Sequence, residues 1–102
     1  MIKVLFVCTA GMSTSLLVEK VKKEAEARGI AIEVNAVGEA EARTHALDID
    51  VMLLGPQVRY LEKSMRTLID GKNVALGVVE MIAYGTMNGA KVLDQILALK
   101  GN

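Results

Sequence analysis

The sequence predicts an α/β fold in which a four-stranded parallel sheet carries helices on both faces. First, short apolar runs alternate with longer segments of helical periodicity, in the order β-α-β-α-β-α-β-α. Second, the run Val51 to Leu54 is apolar at every position, as expected of a central parallel strand covered on both sides. Third, Gly29 and Gly71 follow helical segments, where glycine commonly ends a helix.

The first half of the chain contains two predicted strands and two predicted helices. Ile2 to Val7 is an apolar run of strand length, and Ser13 to Arg28 has an apolar stripe at every fourth position, typical of a helix. Ile30 to Val37 alternates between apolar and polar residues, which suits an edge strand. Glu39 to Leu47 is predicted to form a short polar helix.

The second half repeats this alternation. Gly55 and Pro56 end the apolar run at 51–54, and helical spacing returns from Gln57 to Asp70. Val74 to Val79 is the fourth predicted strand, and Thr86 is predicted to cap a last helix. In such a sheet, ligands bind beyond the carboxyl ends of the strands. The loops after the first, third and fourth strands are therefore expected to meet.

Composition excludes several classes of function. The 102 residues, 52% of them apolar, predict one globular domain spanning 1–102. Twelve basic and twelve acidic residues leave no broad field for nucleic acid or an anionic membrane. The apolar runs are too short to span a bilayer and no signal-peptide pattern is present, so a cytoplasmic protein is expected. A single cysteine excludes an internal disulfide. One cysteine and one histidine are also too few of the usual ligands for a structural zinc site.

The segment CTAGMSTS, Cys8 to Ser15, carries the candidate chemistry. It follows the first strand directly, and six of the seven residues after Cys8 are small or hydroxyl-bearing. Such a loop lets backbone N–H groups converge on an anion, and the helix N-terminus adds positive potential. The same potential favours the thiolate form of a cysteine. The segment therefore predicts a nucleophile, Cys8, next to a phosphate site formed by Thr9, Ala10, Gly11, Met12, Ser13, Thr14 and Ser15.

Two other interpretations of this segment remain open. A lone cysteine after an apolar strand is often a core residue, and the loop would then bind a free anion without chemistry at Cys8. The other is a hydrolase. Low-molecular-weight tyrosine phosphatases use the pattern C-x5-R, in which the arginine stabilises the transition state. Here the sixth residue after Cys8 is Thr14, and no Asp-Pro pair is available as a general acid. These residues predict a site that holds a phosphoryl group without hydrolysing it.

The chain resembles the IIB components of the lactose/cellobiose (N,N′-diacetylchitobiose) class of sugar phosphotransferase systems. The resemblance rests on VCTAGMSTSLL at 7–17, LLGPQV at 53–58, AYG at 83–85 and KVL at 91–93. It covers essentially the whole chain, and the first motif is the most specific.

The resemblance implies a fold, a mechanism and partners. The fold is a four-stranded parallel sheet of order 2-1-3-4, similar to that of the low-molecular-weight tyrosine phosphatases. The residue matching Cys8 accepts a phosphoryl group from a phosphohistidine of the IIA component. It passes the group to a sugar of the cellobiose, chitobiose or lactose type, bound by the membrane component IIC. No metal or other cofactor is implied, and a monomer is the simplest expectation.

Four residues outside the loop bear on the candidate site. Gln57 is expected at the top of the third strand, either beside the loop or as a helix-capping amide. The Tyr84 hydroxyl could reach the site, although packing on the last helix is favoured. His45, the only histidine, is interpreted as surface. Leu16, together with Met12, is expected to belong to a modest, partly apolar docking surface.

Overall fold

A computed structural model describes residues 1–8, 14–45 and 48–101, and these contain one parallel sheet of four strands in the order β2-β1-β3-β4. The strands are β1 (Ile2–Val7), β2 (Ile32–Val37), β3 (Val51–Leu54) and β4 (Ala75–Val78). The helices are α1 (Thr14–Ala27), α2 (Glu39–His45), α3 (Glu62–Leu68), α4 (Met81–Gly85) and α5 (Gly89–Lys100), with a 3₁₀ helix at Pro56–Leu61. The α/β class, the parallel sheet and its order are as expected.

The sheet separates two apolar cores because successive side chains of a strand point to opposite faces. Val4 and Phe6 of β1 face α1, α4 and α5, whereas Leu5 and Val7 face α2, the 3₁₀ helix and α3. Every residue of β3 is buried, in agreement with its prediction as a central strand. Strand β2 forms one edge of the sheet, also as predicted.

The single helix predicted from Gln57 to Asp70 is wrong. Pro56 begins a 3₁₀ helix that is kinked at Val58 (φ −117°, ψ 24°), and the α-helix begins only at Glu62. The expected apolar face survives this break. Val58, Leu61 and Met65 are all buried against the sheet.

The predicted cap of the last helix is also wrong. Helix α5 begins after Asn88, whose side chain accepts a hydrogen bond of 3.1 Å from the backbone N–H of Lys91. Thr86 instead follows α4, a helix that periodicity did not predict, and its hydroxyl donates to the Ile82 carbonyl. Met87, with a positive φ of 53°, turns the chain between the two helices.

Other predicted boundaries are close to the observed ones. Strands β2 and β4 are shorter than predicted, beginning at Ile32 and Ala75. Arg28 lies just past the end of α1. Ser13, and residues 46 and 47 of the predicted polar helix, lie outside the described residues.

Helices α1 and α5 pack at unusually close range where Gly89 meets Lys20. A β carbon built on Gly89 would lie 2.6 Å from both the carbonyl carbon and the carbonyl oxygen of Lys20. Gly89 is buried, and its missing side chain is what allows the two backbones to approach.

Candidate functional site

Cys8 lies directly after β1, at the carboxyl edge of the sheet. Its backbone N–H donates to the Val37 carbonyl of β2 over 3.0 Å, which continues the β1–β2 pairing to the cysteine itself. On the other side, the Gly55 N–H donates to the Val7 carbonyl over 2.8 Å. Cys8 is therefore held between the ends of two neighbouring strands. The residue is only 6% exposed.

Gly55 and Gln57 lie next to Cys8, after the end of β3. A β carbon built on Gly55 would lie 3.6 Å from the Cys8 β carbon and 3.0 Å from the Gln57 Oε1 atom. The two side chains therefore approach the same small space above Gly55. Strand β4 ends beside them, because the Val79 N–H donates to the Leu54 carbonyl over 2.9 Å. The meeting of the strand ends expected from the sequence is confirmed for these residues.

A shallow cleft of about 400 Å³ opens beside Cys8. One wall is the start of α2 and the other is the 3₁₀ helix; the lining residues are Cys8, Gly38, Glu39, Ala40, Glu41, Val58, Tyr60 and Leu61. Glu39 is paired with Arg43 over 3.1 Å, one helical turn away. The lining of the cleft thus includes Cys8, two glutamates and the buried apolar residues Val58 and Leu61.

Large apolar side chains are exposed around the same edge of the sheet. Leu16 lies in the first turn of α1, Tyr60 in the 3₁₀ helix, and Met81 and Ile82 begin α4. Each is more than half exposed, and each follows the carboxyl end of a strand. Met1 is the remaining large hydrophobic residue exposed in the described part of the chain. The carboxyl edge therefore has the partly apolar character of a docking surface, including the predicted Leu16.

The remaining predicted site residues have different outcomes. Thr9 to Ser13, with Met12 among them, lie outside the described residues, while Thr14 and Ser15 form the start of α1. Tyr84 is 7% exposed and belongs to the core between the sheet, α1 and α5, as the packing interpretation expected. A role for its hydroxyl at the site stays a prediction. His45 ends α2, and its surface position also stays a prediction.

The sequence did not predict that α2 and the 3₁₀ helix form the walls of the cleft. Glu39, Glu41 and Tyr60 each lie within a few residues of a strand's carboxyl end. The rule that ligand sites lie beyond these ends could have included them.

Groups with shifted pKa values lie away from this edge. Hydrogen bonds from the Lys3 backbone N–H, at 2.8 Å, and from the Lys100 ammonium lower the pKa of Asp50, at the opposite edge of the sheet. Hydrogen bonds to Asp94 and Glu24 raise the pKa of Arg28, between α1 and α5. These pairs connect parts of the scaffold and do not approach Cys8.

Comparisons with known proteins identify the group to which the chain is similar. The family model "PTS system, Lactose/Cellobiose specific IIB subunit" matches residues 3–95. The oligo-beta-mannoside-specific EIIB component of Bacillus subtilis is 39% identical over 100 residues, covering 98% of this chain and 97% of that protein.

Two solved structures have the same architecture. The lactose-specific IIB domain from Streptococcus pneumoniae superimposes with a TM-score of 0.86 at 18% identity, covering 96% of each chain. The cellobiose-specific IIB protein from Borrelia burgdorferi gives a TM-score of 0.81 at 36% identity, covering 99% of this chain and 93% of that one. No helix within the described ranges is both long and apolar enough to cross a membrane.

Proposed function

This chain belongs to the lactose/cellobiose class of IIB components, the phosphocarriers of sugar phosphotransferase systems, and from that premise we propose that Cys8 carries the phosphoryl group. The observation that supports this most is the position of Cys8. It is the one cysteine of the chain, and it stands between the ends of β2 and β3 at the carboxyl edge of the sheet. Ligands of parallel α/β sheets bind at that edge.

The proposed reaction consists of two phosphoryl transfers. In the first, the Cys8 thiolate attacks a phosphohistidine of IIA; the S–P bond forms, the N–P bond breaks, and the imidazole keeps the bonding electron pair. In the second, a sugar hydroxyl presented by IIC attacks phosphorus; the O–P bond forms, the S–P bond breaks, and the hydroxyl proton passes to solvent. Positioning and electrostatic stabilisation provide most of the acceleration in such transfers.

The loop after Cys8 is proposed to hold the phosphoryl group. Thr9, Ala10, Gly11, Met12, Ser13, Thr14 and Ser15 would supply backbone N–H groups and hydroxyls to its oxygens. No arginine lies between Cys8 and Arg28, so the loop lacks the cation that tyrosine phosphatases use to stabilise hydrolysis. This absence favours a carrier over a hydrolase.

The partners are IIA and IIC, as family membership implies. We propose that both dock on the carboxyl edge around Leu16, Tyr60, Met81 and Ile82, because the phosphoryl group must pass directly between proteins there. The names of similar proteins specify oligo-beta-mannoside, lactose and cellobiose. The proposed acceptor for this chain is a sugar of the cellobiose, chitobiose or lactose type. A monomer and a cytoplasmic location remain predictions.

The test is intact-mass spectrometry after incubation with phosphoenolpyruvate, the general phosphotransferase proteins and a IIA protein of the same class. The wild type should gain the mass of one phosphoryl group, and membranes containing IIC plus sugar should remove it. Cys8→Ser should gain nothing. A Cys8→Ser protein that gains the same mass, or a wild type that gains none with several IIA proteins, would contradict the proposal.

A second assay separates the carrier from the two alternatives. A carrier should release no nitrophenol from p-nitrophenyl phosphate, whereas a phosphatase would. A binding module for free anions would bind inorganic phosphate equally well before and after the Cys8→Ser substitution. Under the carrier proposal, that substitution removes all phosphoryl transfer.

A further inference from the structure

We propose that the side-chain amide of Gln57 binds the phosphoryl group on Cys8, and that residue 55 is glycine to leave room for this amide. The inference rests on the proposed role of Cys8 and adds a phosphate-binding residue from a different part of the chain. Its evidence is the packing at Gly55, where the side chains of Cys8 and Gln57 converge.

Backbone conformation does not explain the glycine at position 55. Its φ is −63° and its ψ is 152°, an extended geometry that any residue adopts without strain. Glycine is required in a turn where φ is positive, as at Gly29 and Gly71, but not here. The explanation must therefore lie in the space around its α carbon.

One atom makes that space tight for a side chain. A β carbon on Gly55 would lie 3.6 Å from both the Cys8 β carbon and the Val7 carbonyl oxygen, which are ordinary contact distances. It would lie only 3.0 Å from the Gln57 Oε1 atom, closer than β carbons normally come to another atom. Alanine at this position would therefore leave the strands in place and push the end of the Gln57 side chain aside by a few tenths of an ångström.

The amide lies within reach of a group on Cys8. Its Oε1 atom is at most 6.6 Å from the Cys8 β carbon, the sum of the separations that both make with the same point. A phosphoryl group on the sulfur extends two bonds beyond that β carbon and carries three oxygens. Gln57 is exposed, so a half-turn of its amide, which presents Nε2 as the donor, meets no resistance from the core.

The chemistry of an amide suits a carrier. An amide N–H donates a hydrogen bond to a phosphoryl oxygen but brings no positive charge, unlike the arginine of a phosphatase. It would hold the dianion in place while giving less stabilisation to the extra charge of a hydrolytic transition state. The Gln57 amide thus provides orientation at a site whose loop contains no cationic residue.

The experiment compares Gln57→Ala, Gly55→Ala and the double variant with the wild type. The control Asn73→Ala removes another exposed amide, in the turn before β4, at the opposite edge of the sheet. The measurement is the phosphoryl equilibrium between a phosphorylated IIA protein and Cys8, read by intact mass. The ³¹P chemical shift of the phosphocysteine is recorded beside it, and thermal unfolding checks that each variant folds.

We expect Gln57→Ala to shift the equilibrium toward the donor by about tenfold, as expected for one lost hydrogen bond to a charged group. Gly55→Ala should produce a smaller shift in the same direction, and the double variant should match Gln57→Ala, because alanine at position 55 acts only through the Gln57 amide. The ³¹P signal should move in all three, while Asn73→Ala matches the wild type.

Two results would overturn this inference without affecting the proposed function. In the first, the wild type is phosphorylated and Gln57→Ala has the same transfer equilibrium and ³¹P chemical shift. In the second, Gln57→Ala changes both quantities but Gly55→Ala changes neither. Failure of the proposed function has a different signature, because the wild type itself would then gain no phosphoryl group, and both proposals would fall together.

Discussion

Replacing Gly89 by alanine tests the close approach of α1 and α5. The new β carbon would lie 2.6 Å from the Lys20 carbonyl carbon and oxygen, and 2.9 Å from the Lys20 β carbon. Carbon atoms in contact normally stand about 3.5–4.0 Å apart. The two helices would therefore have to separate by about 1 Å. A rotamer change cannot relieve the clash, because two of the three atoms belong to the backbone of α1.

The expected loss of stability follows from two opposing effects. Overpacking of a filled site costs about 1–3 kcal/mol. Alanine recovers up to about 1 kcal/mol over glycine inside a helix, and less at the first position, where Gly89 stands. We expect a net loss of about 2 kcal/mol in the free energy of unfolding. For a domain of this size, that loss lowers the Tm by about 8–16 °C.

Urea unfolding followed by far-ultraviolet circular dichroism measures this change, and Gly85→Ala is the matched control. Gly85 also lies in a helix, its φ is not positive, and a β carbon there would meet nothing within 4 Å. Gly85→Ala should leave stability unchanged or raise it by less than about 1 kcal/mol. If Gly89→Ala is as stable as Gly85→Ala, the described packing of α1 on α5 is incorrect.

Four further substitutions examine other parts of the scaffold. Asp50→Asn should cost about 1 kcal/mol at pH 7, reduced by solvent exposure, because it weakens the hydrogen bond from Lys3. The Asp50 pKa is lowered on folding, so its contribution is complete above the unfolded value of about 4 and is lost as the pH falls through the folded value. Asn88→Ala should cost about 1 kcal/mol through loss of the α5 cap, and Thr86→Ala less. Phe6→Leu, at a fully buried position, should cost about 1–2 kcal/mol.

The same urea titrations check each of these outcomes. An Asp50→Asn deficit that is equally large at pH 3 and pH 7 would contradict the assigned role of the carboxylate. If Thr86→Ala costs more than Asn88→Ala, the helix cap is at the position predicted from sequence. A Phe6→Leu protein with full stability would contradict tight packing around Phe6 in the core on the α1 side.

Periodicity predicted most of the scaffold because each face of an element is buried in a regular pattern. It failed between Gln57 and Asp70, where buried Val58, Leu61 and Met65 are spaced by three and four residues. That spacing fits one α-helix as well as a 3₁₀ turn followed by an α-helix, so the pattern cannot distinguish them. It also failed at Thr86, because Thr86 and Asn88 are both common caps. The turn at Met87 decides between them.

The candidate site was predictable in place but not in detail. Cys8 and Gln57 were both expected at the carboxyl edge, since each closely follows a predicted strand. The space that Gly55 leaves between them depends on the pairing of β1 with β3, where Val7 lies opposite Leu54. That pairing joins segments almost fifty residues apart. Strand order also depends on pairing between distant segments, and no local pattern encodes which strands are neighbours. It was therefore predicted from the family resemblance.

The backbone at Val7 and Cys8 is hydrogen-bonded to the neighbouring strands on both sides, and this bears on how partners would recognise the proposed phosphorylated form. The Cys8 N–H is bonded to Val37, and the next strand is bonded to the residue before it. Under the proposed function, a phosphoryl group on the sulfur would leave both of these backbone hydrogen bonds in place, so the sheet itself would not change when Cys8 is phosphorylated. The proposed function then implies that IIA and IIC distinguish the phosphorylated protein from the unphosphorylated one by contact with the phosphoryl oxygens and their charge.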